Sequence, residues 1–315
     1  MSTSAGTLAA AYAACEHDAS THYENFPVAS LLLPRRMRPH VAAVYAFARA
    51  ADDFADEGSR PSHERHTLLD GWTRRLRHAV TSSEPGPPPV AGEPANTRQI
   101  FVALGASIRA HDLPVALFED LISAFRQDIT TVRYASWTDL FDYCRRSANP
   151  VGRLVLRIAG HSDPALDTAS DAVCTALQLT NFWQDLKIDF DRGRIYLPEE
   201  ERTRHGARED DLRGGRMTAE WKQALAAAAA RTRSLFEAGR PVCDLPAAKG
   251  RVRGRLQYEL RATWLGGMRI LDKLERSGFD PIHGRPALGA ADAPWFAYRL
   301  ATWNLVQHSP AARER

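Results

Sequence analysis

The stretch NFWQDLKIDFDRGRIYLP, residues 181–198, decides the fold class. Asn181, Asp185 and Asp189 recur every four residues, so a helix sets them along one face. Gln178 extends that stripe by one turn, while Leu177, Leu179, Phe182, Trp183, Leu186 and Ile188 make the remaining faces apolar. A second stripe lies in YAFARAADDFADE, residues 45–57, where Tyr45, Arg49, Asp52 and Asp56 follow helical steps among Phe47, Ala48, Ala51 and Phe54. A lone D-x-x-x-D is usually a solvated helix face. Two of them, each within an apolar helix and far apart in sequence, fit that explanation badly, because buried ionised carboxylates must be paired or bind metal. Oxygen donors with no His or Cys nearby favour magnesium over zinc. Magnesium held by a few carboxylates completes its shell with water and substrate phosphates. The expected ligand is therefore a phosphate or diphosphate attached to an apolar body.

No alternating strand pattern, internal repeat or Gly-rich phosphate loop occurs, and the expected fold class is all-α. Helices are expected over 5–17, 61–80, 98–111, 114–128, 165–190, 217–239 and 249–276, with Pro39 in the first turn of the helix carrying the first stripe. A further helix over 137–161 should break near Pro150 and Gly152. The Pro/Gly-rich run 81–97 reads as a loop, and 291–315 as short helical potential before a polar tail.

The 315 residues suit one large domain or two small ones. A balance of 41 basic and 38 acidic residues argues against a nucleic-acid partner. Cys15, Cys144, Cys174 and Cys243 are widely spaced, as expected of reduced cysteines in a reducing compartment. With no signal-like start and no apolar run of spanning length, the expectation is a cytoplasmic protein with peripheral membrane contact at most.

Five motifs, in order, carry a resemblance over residues 20–290: HYENF with LLP at 22–34, YAFARAADDFADE at 45–57, FRQDITTVRY at 125–134, YCRRSANPVGR at 143–153 and NFWQDLKIDFDRGRIYLP at 181–198. Together they resemble the squalene/phytoene synthase family of head-to-head prenyl synthases, and within it the bacterial hydroxysqualene synthases of hopanoid biosynthesis. The resemblance implies an isoprenoid synthase fold, a single helical bundle around a central apolar cavity, with 1–19 and 291–315 as terminal extensions. It implies Mg2+, a prenyl diphosphate substrate, and a functional link with a presqualene diphosphate synthase and a hydroxysqualene dehydroxylase. The implied reaction converts presqualene diphosphate and water to hydroxysqualene and diphosphate. No nicotinamide is expected.

On this resemblance Asp52, Asp56, Asp185 and Asp189 would hold the metal, with Asn181 adding an oxygen. Arg49, Arg192 and Arg194 would bind diphosphate, His22, Phe26 and Tyr45 stand at family site positions, and Gln178 on the stripe would meet the substrate. Relatives carry a tyrosine shortly after the Tyr-Cys pair, where this chain has Arg145 and Arg146. Arg146 and Asn149 are therefore expected to offer polar groups that position a water near the carbocation, and the missing tyrosine argues against condensation of farnesyl diphosphate. A condensing enzyme is the alternative, and a non-catalytic binding protein a more distant one, disfavoured because all four aspartates are present.

Overall fold

The computed structural model describes residues 5–21, 32–244 and 254–303. Fourteen α-helices occur among them: α1 (Ala5–Thr21), α2 (Arg38–Asp56), α3 (Ser62–Thr81), α4 (Thr97–His111), α5 (Val115–Asp128), α6 (Trp137–Ser147), α7 (Asn149–Ile158), α8 (Pro164–Gln184), α9 (Leu186–Asp191), α10 (Glu199–His205), α11 (Glu209–Arg213), α12 (Ala219–Gly239), α13 (Arg255–Arg276) and α14 (Ala293–Ala301). The described residues contain no strand, only one parallel bridge between Arg133 and Ile195.

Local chemistry sets these boundaries. Pro39 lies in the first turn of α2, and the Asp163 side chain accepts from the Ala165 N–H at 2.8 Å to start α8. Ser136 and Asp139 cap the start of α6 reciprocally. The break between α6 and α7 falls at Ala148, just before Pro150. The expected helix over 165–190 is divided at Asp185, which joins α8 to α9.

Two apolar clusters form the core. Phe47, Trp72, Phe101 and Phe118 centre the first, built from α1 to α5 and part of α7. Trp183, Trp221, Phe236 and Trp264 centre the second, built from α6 to α13. Glycine permits the closest approach of α12 to α8: a Cβ on Gly239 would lie 2.6 Å from the Ala169 carbonyl oxygen. An apolar cleft lies where the clusters meet, between Leu33, Val41, Val173, Leu177, Leu256 and Leu260. The same α2 and α8 that line it carry the aspartate stripes farther along. Val41 and Asp52 are about 16 Å apart along the α2 axis, and Leu177 and Asp185 about 12 Å apart along α8. The cleft thus supplies an apolar body with a wall that ends in carboxylates.

Although read as an extension, the N-terminal segment contributes a packed helix. Ala11, Cys15 and Ala19 of α1 are buried against α2 and α4. A polar latch holds it there. The Tyr12 hydroxyl meets Nδ1 of His40 and Oγ of Ser107, each at 3.1 Å, and the His40 ring abuts His111 with centroids 4.3 Å apart. Burial, then the His111 ring, pushes His40 down to about 4; burial, then Arg36, also lowers His111. A histidine lowered by folding binds protons more weakly in the native chain. Its stabilising effect is therefore complete above the unfolded value near 6.5 and is lost as pH falls from about 6.5 towards 4. Denaturant midpoints measured across that window should fall with pH, and His40→Gln should flatten the slope. An unchanged slope would remove His40 from the latch.

Candidate active site

On α2, Tyr45, Arg49 and Asp52 are half-buried along one face, with Asp56 a turn beyond. Asp56 accepts both terminal guanidinium nitrogens of Arg194, at 2.8 and 2.6 Å. Arg194 also donates to the Asp128 carbonyl at 3.2 Å, while its own N–H bonds the Asp189 carbonyl at 2.8 Å. The neighbouring Ile195 N–H reaches the Val132 carbonyl at 3.0 Å. The segment leaving α9 is thereby stitched to the segment leaving α5, and Arg194 joins the two aspartate stripes into one site.

Five carboxylates gather there. Burial, then Asp56, pushes Asp52 up to about 7. Its side chain keeps 39% of its surface open, so it sits in a recess rather than sealed in the core. Burial, then Asp185, pushes Asp189 up to about 7. Asp128, absent from the expected set, is pushed up to about 8, mainly by burial and against the hydrogen bond from Tyr143. The cations present divide unevenly. Arg285, from the turn after α13, pairs with Asp185, and Gln184 donates to the neighbouring Pro286 carbonyl at 2.5 Å. Arg49 is drawn to Asp53 at 2.8 Å and Glu57 at 3.0 Å, and lies 3.7 Å from Asp52. Asp53 and Glu57 act as ion-pair partners beside the stripe.

This donor set fits a divalent cation of one kind. Recessed carboxylates that resist ionisation because of burial, and then because they crowd one another, are relieved by added positive charge. Among the described residues, however, no three Asp, Glu, His or Cys side chains close around a single point. The arrangement suits a hard cation that brings water and phosphate oxygens as most of its shell, and not a protein-caged one.

Asn181 and Gln178 are half-buried on α8, one and two turns before Asp185, and Arg192 is exposed at the end of α9. His22 and Phe26 lie outside the described residues. Arg146 lies on α6, near enough to Tyr134 for its charge to act on that phenol. It pairs with Asp142 at 2.9 Å, donates to Ser123 at 3.2 Å and bonds Gln127, so it faces α5. Arg145 is on the surface, against Asp142 and Asp120. Asn149 is buried at the start of α7, where its Oδ1 accepts from the Thr175 hydroxyl at 2.9 Å.

The site holds phenols besides Tyr45, although no tyrosine stands at 145–146. Tyr143 donates to Asp128 at 2.9 Å, and burial, then Asp128, holds its own pKa far up. Tyr134 and Tyr196 lie beside it, with ring centroids at 5.5 and 6.2 Å. Tyr196 stacks on Phe182 at 3.6 Å, nearly coplanar. Asp128, Tyr143, Tyr196 and Arg285 were thus missed as site residues. Asp128, Tyr143 and Tyr196 stand inside the motifs at 125–134, 143–153 and 181–198, which was their signal, and Arg285 had none.

Comparison with known proteins agrees with this geometry. Residues 19–292 match the squalene/phytoene synthase family. The chain is 36% identical to hydroxysqualene synthase of Rhodopseudomonas palustris over 220 residues, 70% of each chain. It is 37% identical to that of Zymomonas mobilis over 217 residues, 68% of each. The crystal structure of squalene synthase HpnC from Alicyclobacillus acidocaldarius superposes with a TM-score of 0.75 at 39% identity, covering 86% of this chain and 95% of that one. With the family matched across nearly the whole helical bundle, and with both aspartate stripes facing one recess, the chain belongs to the squalene/phytoene synthase family.

Proposed function

We propose that the chain is a magnesium-dependent hydroxysqualene synthase, converting presqualene diphosphate and water to hydroxysqualene and diphosphate. The observation that carries the reading is the pair of aspartate stripes joined by Arg194 at one end of an apolar cleft. The hydroxysqualene synthases among its relatives support it. Magnesium, when bound by Asp52, Asp56, Asp185 and Asp189 with Asn181, would neutralise charge on the departing diphosphate. Arg194 and Arg285 already stand on Asp56 and Asp185, within reach of a diphosphate drawn to that end. Their guanidinium groups present paired donors that match phosphate oxygens. The Phe182–Tyr196 stack offers aromatic faces to a cation, worth about 0.5–2 kcal/mol. Buried Asn149 and Thr175 place polar atoms one helix away from the phenol cluster. On this reading the chain works between a presqualene diphosphate synthase and a hydroxysqualene dehydroxylase. Among the described residues no helix is long and apolar enough to cross a membrane.

The test is product analysis. Purified protein given presqualene diphosphate and magnesium should yield hydroxysqualene, with or without reduced nicotinamide, and farnesyl diphosphate alone should be a poor substrate. Squalene formed only with nicotinamide, or efficient C30 product from farnesyl diphosphate alone, would make it a condensing enzyme instead.

A further inference from the structure

Helix α14 has no buried residue. Its inward side chains, Trp295, Phe296 and Leu300, are half-buried against the second core cluster. Its outward positions are Ala293, Pro294, Ala297, Tyr298 and Ala301, with Tyr298 66% exposed. A surface helix ordinarily turns its charged face to water. Here the outward face carries no charge, and the helix's one ionic residue, Arg299, is half-buried over the Trp295 ring.

The patch continues beyond the helix. Leu288, 46% exposed, abuts Gly266 of α13, as does Phe296. The charge beside it is positive. Asp292 is the only acidic residue in 281–303, and both Arg269 and Lys273 bind it, at 2.8 and 2.6 Å. With Arg299 over the Trp295 ring, three cations and one carboxylate flank the patch. The first half of α13 lines the apolar cleft through Leu256, Leu260 and Thr263.

We infer that the outward face of α14, with Leu288, seats on an anionic lipid bilayer. At nine residues, about 13 Å, α14 is too short to span, and an uncharged face with Trp, Tyr and Arg at its edges is the make-up of a helix lying in the headgroup region. The net positive surround matches anionic headgroups better than a second copy of the same basic face, which would repel it.

Sedimentation with vesicles of phosphatidylglycerol and phosphatidylcholine, against phosphatidylcholine alone, tests this on the full chain. The protein should bind the anionic vesicles, more weakly at high salt. Ala297→Glu with Ala301→Glu should lower binding by about tenfold, at unchanged circular dichroism and unchanged activity on detergent-dispersed substrate. Tyr298→Ser, which adds no charge, should lower it less. Failure of the native chain to bind anionic vesicles would overturn the proposal, as would binding that the double variant leaves intact. A dimer in light scattering that the double variant makes monomeric would assign the face to a second copy instead.

Discussion

Asp52→Asn should lower turnover by about a thousandfold or more, some 4 kcal/mol in the barrier, while leaving the fold intact or slightly more stable. Function and stability move in opposite directions because the same crowding sets both. Asp52 is pushed up to about 7 by its recessed position and by Asp56. Exchanging its carboxyl for an amide of the same shape removes a like-charge repulsion from the native state, so the melting temperature should not fall. It also removes an anionic oxygen from the group proposed to hold magnesium. Asp185→Asn should be as damaging to turnover, but it surrenders the ion pair with Arg285, whose side chain is 43% exposed. Pairs that open to solvent contribute little, so its melting temperature should change by no more than about a degree or two. Chelating divalent metal should stop turnover and leave helical circular dichroism unchanged, since among the described residues no three carboxylates form a cage that a bound ion would staple. Full turnover by either variant at saturating magnesium would sink the assignment of the stripes.

Sequence periodicity exposed both stripes because each lies within one helix, where spacing alone fixes which residues share a face. The same reasoning missed the division at Asp185. Its N–H still bonds the Asn181 carbonyl at 2.8 Å, and the Asp189 N–H bonds the Asp185 carbonyl at 2.9 Å, so the helical period runs through the break. Residues that reach the site singly leave no periodic trace. Arg285 meets Asp185 across one hundred positions, and Tyr143 meets Asp128 from the next helix. The partners of Arg146 were hidden for a related reason. A motif gives a position, whereas the direction a side chain takes follows the phase of its helix. Arg146 lies one turn after Asp142 on the side facing α5, and the ion pair holds it there. The N-terminal segment lay outside the span of the resemblance, with a helix expected over 5–17. Small buried residues, Ala11, Cys15 and Ala19, let α1 pack closely without a strong apolar stripe.

The Tyr143–Asp128 pair should prove functional as well as structural, and three variants separate the roles. Tyr143→Phe removes the donor and leaves the buried Asp128 carboxyl without that bond. An unsatisfied buried polar group costs about 1–3 kcal/mol, so melting should drop by a few degrees. Turnover should fall about ten- to a hundredfold, because Tyr143 lies between the carboxylates and the Phe182–Tyr196 stack. Asp128→Ala leaves the phenol unpartnered and should destabilise similarly. Asp128→Asn is the informative change. Its amide oxygen still accepts from Tyr143, so stability should be kept, and the loss of an acid held up to about 8 removes a group that burial penalises when charged. Turnover should nonetheless fall at least about tenfold, because an amide can neither give up nor take a proton beside Tyr143. Steady-state turnover at saturating substrate, set beside thermal melting for all three variants, reads the outcome. Native turnover in Asp128→Asn, together with losses in the other two that track their melting temperatures, would reduce the pair to a packing contact.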